Sequence, residues 1–359
     1  MRTVTHAVLA RLTFLLTLLP ACDGGAPDGP CDPATSACVL AHDFGLQTLE
    51  SGQEADDLCQ SWTLGNETEL WVSSVRFEND GGYHHSNWFF VPDDTFELPD
   101  GGWQCGDHDF AELTAAILGG VLYAQSTQTE LETQQFGPAV AVRIPPRSRV
   151  IGSTHLLNVG DATLTTGLRM TLETLPPGEL AVKLAPFRLT YYDLHLPPGA
   201  RSEFSADCDI DPAHRDVTGL PLDLTLHYLL PHFHYDATGF QVSLLGGARD
   251  GEVLHRTSGY ADPVWGKAFL EPVDLAAAGA TGFSFSCTYD NPRDRVVGWG
   301  NRDGEMCMIL GFADTAIAFD ASVNHGAGAV TAVTDGVTHA SGPCTVLGLS
   351  FDQTKEGGR

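Results

Sequence analysis

Two imidazoles stand one position apart in the run LLPHFHYDATGF, residues 229–240. In an extended chain, side chains at i and i+2 leave the same face, so His232 and His234 would aim their rings at one point, as a metal-ligand pair does. A second pair, His84 and His85, is adjacent in NDGGYHHSNWFFVP, residues 79–92. Neighbours on a regular strand point to opposite faces, so these two can serve one ion only where the backbone bends, which Gly81 and Gly82 just upstream would allow. His155, in IGSTHLLN at 151–158, could complete a three-imidazole set. Met306 lies between Glu305 and Cys307. Its thioether is a soft ligand that favours Cu(I), and two imidazoles with a thioether suit copper better than calcium or zinc. Taken singly, each of these residues has an ordinary reading as a surface or core side chain.

The elements that must position them read as strands. Short runs rich in β-branched and aromatic residues follow one another: ETELWVSSVRF (67–77), AVAVRI (139–144), TTGLRMTLETL (165–175), FRLTYYDLHL (187–196), LDLTLHYLL (222–230), FQVSLL (240–245) and GFSFSCTY (282–289). Punctuations such as NDGG, LPDGG, LPPGE, LPPGA and DNPRD separate them, and that rhythm predicts antiparallel β-sandwiches. One helix is expected, over DFAELTAAIL at 109–118, with Asp109 as its N-cap and Gly119-Gly120 as its stop. A chain of 359 residues with 43% hydrophobic and 18% charged residues, 39 Gly and 21 Pro suits two turn-rich globular domains. The two Pro-Pro-Gly loops near the middle place their boundary around residue 177.

The start of the chain reads as an export signal over 1–21: Arg2 and Arg11 flank a segment that becomes the apolar run Leu12–Leu19, too short to span a bilayer. LPAC at 19–22 is similar to the lipobox of bacterial lipoproteins, in which the cysteine, here Cys22, carries the lipid. Residues 22–50 begin as a Gly, Pro and Asp tether, with order expected near Thr48. These signals predict an exported, lipid-anchored protein of the cell envelope that meets the membrane through its anchor alone. Without 1–21 the formal charge moves from −27 to −29, and such a surface repels phosphate backbones, so nucleic acid is not expected as a partner. Nine cysteines is an odd count; setting Cys22 aside leaves Cys31, Cys38, Cys59, Cys105, Cys208, Cys287, Cys307 and Cys344, enough for four bridges in an oxidising compartment, with 105 pairings open.

In order and rough spacing, His84-His85, His155, His232-x-His234 and Glu305-Met306-Cys307 resemble the copper type II, ascorbate-dependent monooxygenases, the family of peptidylglycine α-hydroxylating and dopamine β-monooxygenases. The resemblance spans about residues 55–350. It implies an all-β chain of two tandem jelly-roll-like β-sandwich domains joined by a short linker, at 51–176 and 177–352, each holding one copper. His84, His85 and His155 would hold the copper that relays an electron. His232, His234 and Met306 would hold the second, where dioxygen binds and a C–H bond of a small organic substrate is hydroxylated, with ascorbate or a similar one-electron donor as co-substrate. The resemblance also implies bridges Cys59–Cys105, Cys287–Cys307 and Cys208–Cys344, leaving Cys31 with Cys38. Three positions depart from the family. Leu230 and Leu310 stand where the peptide-hydroxylating enzymes carry an arginine and a tyrosine that grip the substrate carboxylate, and Ser153 stands where a glutamine is common. A more apolar or aromatic substrate follows.

Other chemistries fail on their residues. No G-x-S-x-G elbow is present, and GYADPVWGKA has neither the spacing of a P-loop nor a Ser or Thr after Lys267. DCDIDP at 207–212 echoes a calcium loop but has Pro212 where glycine is needed, and NET at 66–68 is a glycosylation acceptor only in hosts that read it. His108, His195, His214, His227 and His255 are assigned structural or surface roles. Two non-catalytic readings compete, an envelope copper binder and a surface scaffold lipoprotein.

Overall fold

Alternation within the runs decides which strands are covered on one face and which on both. In strand Leu164–Thr174, Leu168, Met170 and Leu172 point inward and their neighbours outward, the period-2 pattern of a strand with one wet face. Strand Leu70–Asn79 is covered on both faces over its first half and alternates after Val75, with Trp71, Val72, Val75 and Phe77 at 1% exposure or less and Arg76 in solvent. The computed structural model describes residues 31–96, 99–125, 128–260, 266–300 and 304–351. The signal segment 1–21 and Cys22 lie outside the described residues.

The chain is all-β, with sandwich-like sheets. An eleven-stranded sheet runs, along its main path, through Cys38–Leu49, Leu164–Thr174, Leu70–Asn79, Val140–Ile144, Val182–Tyr191, Met308–Thr315, Leu224–His232 and Lys267–Asp274. A five-stranded sheet (Gly101–Gln104, Glu54–Thr63, Ser148–Leu157, Tyr83–Pro92, Gly120–Gln125) belongs to the first half of the chain, and a six-stranded sheet centred on Gly282–Asn291 belongs to the second. Two cores result. One gathers Trp88, Phe77, Tyr83 and Tyr123, and the other Phe187, Phe204, Phe283 and Tyr289. Fully burying a large apolar side chain contributes about 1.5–3 kcal/mol, so each core is a substantial source of stability. Near residue 177 the backbone makes a short turn at Pro177–Glu179, and Val182–Leu184 then pairs in parallel with Val140–Val142, so one sheet continues across that position.

Each expected strand run falls on an observed strand, but three local expectations are corrected. The tether does not reach residue 50: Cys38–Leu49 is a strand paired antiparallel with Leu164–Thr174, and the turn-rich composition upstream masked its alternation. The helix at 109–118 is shorter, Glu112–Leu118, because Asp109 adopts a left-handed conformation and closes the preceding turn at Cys105–His108 instead of capping the helix. A second helix, Asp211–Thr218, starts at the end of DCDIDP, whose first three residues close the strand Ala200–Asp209; Pro212 in its first turn and left-handed Gly219 at its end are the start and stop signals.

The cysteines pair as the resemblance implied, Cys59–Cys105, Cys208–Cys344 and Cys287–Cys307, and Cys31 and Cys38 are also disulfide-bonded. Eight bonded cysteines suit an oxidising compartment. No helix among the described residues is long and apolar enough to cross a membrane.

Beside the first core the buried carboxyl of Glu132 accepts a hydrogen bond from the Tyr123 hydroxyl at 2.7 Å. Burial pushes it up to about 7. A carboxyl raised in the folded state stabilises while it stays protonated, so its contribution is full below the unfolded value and is lost as pH climbs toward 7. Between pH 4.5 and 7.5 the Glu132 contribution is expected to fall by about 3 kcal/mol at most, read as the difference between wild type and Glu132→Gln, since buried Glu305 adds to the same trend and the lowered histidines oppose it. Glu132→Gln should flatten that part of the profile; an unchanged slope in the variant would assign the effect elsewhere.

Candidate metal centre

The first three histidines are set by two neighbouring strands. His84 and His85 lie on Tyr83–Pro92, His155 on Ser148–Leu157, and His85 and His155 are direct cross-strand partners. The bend expected after the glycines is present: Gly81 and Gly82 have φ of 96° and 80°, and the ladder shifts register between Tyr83 and His85. That irregularity turns adjacent residues to one side, with the His84 and His85 rings 5.4 Å apart. Behind them, Trp88 packs on Gly152, where a methyl group would collide with the indole. Gly152 therefore lets the two ligand-bearing strands lie flat on one another.

Ring nitrogens of His84, His85 and His155 all fall within 4.8 Å of one another. The Nδ1 atoms of His85 and His155 face each other at 3.3 Å. Two nitrogens bound at about 2.0–2.1 Å to one tetrahedral ion are about 3.3 Å apart, so the spacing fits a shared cation as well as a single N–H···N bond. Glu54 bears on that choice. Its Oε1 lies 2.6 Å from His155 Nε2, so the carboxylate favours a proton on Nε2 and leaves the Nδ1 lone pair for a metal. Glu54 belongs to no motif in the sequence. Glu54→Gln is expected to weaken metal uptake by about 10–100-fold, the usual effect of losing such an outer partner, read by competition with a metal chelator. Uptake equal to wild type would show that His155 needs no orienting carboxylate.

The second pair forms differently from the expectation of a continuous strand. The strand Leu224–His232 ends at His232, and His234 is held from the opposite segment. Glu305, fully buried, accepts the His234 N–H at 3.0 Å and the Asp236 N–H at 2.6 Å. His234 Nδ1 donates to the Gly304 carbonyl at 3.1 Å, which leaves Nε2 as the ligand atom; it is buried and has no hydrogen-bond partner. The His232 and His234 rings stand 5.5 Å apart.

The two sets meet. The His85 ring stacks on His234 with centroids 4.4 Å apart and lies 5.9 Å from His232. Burial, and then the neighbouring rings, hold these imidazoles below the ordinary histidine range: His232 falls to about 3, His234 to about 4, and His85 well below its usual value. His84 and His155 are lowered too, mainly by burial. At neutral pH the cluster is therefore five neutral rings. Neutral imidazole is the ligand form. A buried nitrogen left without a partner costs about 1–3 kcal/mol, a cost that a bound cation would offset.

Met306 is buried at 4% exposure and is tied to the His-x-His segment twice, through the His232–Met308 ladder pair and through Glu305. The Tyr289 hydroxyl donates to the Met306 carbonyl at 2.6 Å, and the Cys287–Cys307 bridge follows directly. Met306 faces a cavity of about 460 Å³ with Met308, Trp299, Tyr192 and Leu113 on its apolar walls and Glu112, Arg188, Asn324 and His325 on its polar ones. Glu112, missed in the sequence, accepts from Asn87 Nδ2 at 3.2 Å and from the Ser153 hydroxyl. Leu230 and Leu310 are direct cross-strand partners, both buried in the first core. They pack on each other and present no charge to a ligand. His108 rests on Trp103, and His214 bonds the Leu220 carbonyl, consistent with structural roles.

No family model and no curated protein matches the chain. Among solved structures, similarity is found to the major capsid protein P2 of bacteriophage PM2, at 8% identity and a TM-score of 0.26, covering 77% of this chain and 98% of that one. The PBCV-1 protein VP54, fitted into a reconstruction of the virophage Sputnik, matches at 9% identity and a TM-score of 0.24, covering 77% and 93%. Scores this low carry no argument about function.

Proposed function

We propose that the protein is a copper-dependent monooxygenase that hydroxylates a C–H bond of a small organic molecule, using dioxygen and an ascorbate-type one-electron donor. The observation that supports this reading is the meeting of five neutral imidazoles, four of them buried, from three segments, beside a fourth segment carrying a buried methionine. His84, His85 and His155 would hold one copper, and His232, His234 and Met306 a second. The bound copper would supply dioxygen activation and one-electron chemistry.

The chain's own residues do the rest. Glu54 and the Gly304 carbonyl fix which ring nitrogens point inward. Glu305 and the Cys287–Cys307 bridge hold the Met306 segment against His234. The thioether favours the reduced ion. The cavity next to Met306 has an apolar and aromatic side, Trp299, Tyr192, Met308 and Leu113, which would receive an apolar or aromatic body, and a polar side, Arg188, Glu112, Asn324 and His325, which would receive a polar substituent; Leu230 and Leu310 lie outside its lining. The disulfides agree with export, and a lipid on Cys22 would keep the enzyme at the envelope.

The deciding experiment is copper per chain by elemental analysis on protein beginning after Cys22, followed by dioxygen uptake with ascorbate in the presence of apolar aromatic compounds. Two equivalents and compound-dependent uptake are expected, and Met306→Ala should retain the first-set copper while losing the compound-dependent part. Copper without compound-dependent uptake would favour a binding protein. No copper after reconstitution would leave the histidines structural and the scaffold reading in front.

A further inference from the structure

Beyond the ligands, one ring pair connects the cluster to the surface. The Tyr260 hydroxyl lies 3.4 Å from His84 Nδ1, with the two rings 6.0 Å apart. On its other side Tyr260 meets Tyr235 at 5.9 Å between centroids, and Tyr235 is 70% exposed although it directly follows His234. The juxtaposition is held in the backbone. Tyr260 N–H donates to the Ala237 carbonyl at 3.1 Å, and Gly259, at φ 113°, approaches the backbone of Ala237 and Thr238 so closely that a Cβ would sit 2.9 Å from it. Only glycine accommodates both that φ and that contact. Tyr235 thereby carries the chain of ring contacts from His84 through Tyr260 out to solvent.

We propose that Tyr260 and Tyr235 form a one-electron escape path from His84 to the surface, which drains oxidising equivalents from the centre when dioxygen reacts there without substrate. The proposal rests on the copper reading above. Electron transfer falls off steeply with distance, and three rings in near contact replace one long step with two short ones. In the first step Tyr260 gives one electron to the oxidised centre and its phenolic proton to solvent. Tyr235 then returns a hydrogen atom to Tyr260 and becomes the phenoxyl radical. At the surface, an enediol donor of the ascorbate class restores Tyr235 with one electron and one proton and leaves as its own radical. The alternative target is the nearest oxidisable ligand ring, and a ligand oxidised there would release the metal.

The test uses the full chain after Cys22, copper-loaded, with dioxygen and ascorbate and no organic substrate. Electron paramagnetic resonance of freeze-quenched samples, peptide mass mapping and retained copper are followed together. Wild type should show a tyrosyl radical and unmodified ligand histidines. Tyr260→Phe, which keeps the ring and the fold, should take up copper as wild type does but lose the radical, gain oxygen on His84 or His85, and shed copper several-fold faster. Tyr235→Phe should leave a longer-lived radical on Tyr260. Wild-type copper uptake and dioxygen consumption with unchanged radical, histidines and copper lifetime in Tyr260→Phe would overturn the path alone. A wild-type chain that binds no copper or consumes no dioxygen would overturn the functional reading and the path with it.

Discussion

His85→Ala is expected to reduce bound copper from two equivalents to one or less, the largest loss of loading from any single substitution. His85 belongs to the first set and touches the second: its Nδ1 faces His155 at 3.3 Å, and its plane stacks on His234 at 4.4 Å. Removing it leaves the first set with two ligands and opens space beside the second. The affinity loss at the first set should exceed the about 10–100-fold that loss of an outer-shell partner brings. Elemental analysis after dialysis against a weak chelator reads the result, and circular dichroism confirms that the strands persist. Retention of both equivalents would mean that His85 is not a ligand and that the first set must be redrawn around His84 and His155.

Glu305→Ala is expected to be the most destabilising single substitution near the centre. One buried carboxyl accepts the backbone N–H groups of His234 and Asp236, and it also receives the Met306 N–H. Each buried donor left without an acceptor costs about 1–3 kcal/mol, so the expected loss is several kcal/mol, with the loop carrying His234 released. Burial holds the Glu305 carboxyl up to about 8, so its oxygens accept these bonds with little net charge at neutral pH. Glu305→Gln, which keeps one acceptor oxygen, should fall between the alanine variant and wild type in both melting temperature and copper content. Equal melting temperatures for all three chains would show that water replaces the carboxyl at no cost.

Much of the frame was legible in one dimension. The strand runs carry alternation and are separated by turn residues, so strands such as Leu164–Thr174 and Gly282–Asn291 emerge from local sterics and burial alone. The strand Cys38–Leu49 was hidden because it directly follows the Gly, Pro and Asp tether and its partner lies more than a hundred residues away, at Leu164–Thr174. The helix Asp211–Thr218 was hidden because Pro212 reads as the residue that spoils a calcium loop, when with Gly219 it punctuates a short helix. At the centre, the histidines announce themselves by type and spacing. Glu54 and Glu112 do not, since a lone carboxylate on a strand or at a helix start has no local signature.

Residue chemistry and the strand period belong to the chain itself: the doublet at 84–85, the His-x-His at 232–234 and the glycines that bend the first of them act within a few residues of one another. Which rings would touch is a different matter. His85 reaches His155 because two strands pair in one register, and it reaches His234 because the packed sheets bring the Tyr83–Pro92 strand to the end of Leu224–His232. Register and packing are long-range outcomes of burying two apolar cores, and a shift of one residue would turn His85 to the opposite face. The merging of two ligand sets into one cluster, and the neutral charge that burial forces on it, follow from that packing.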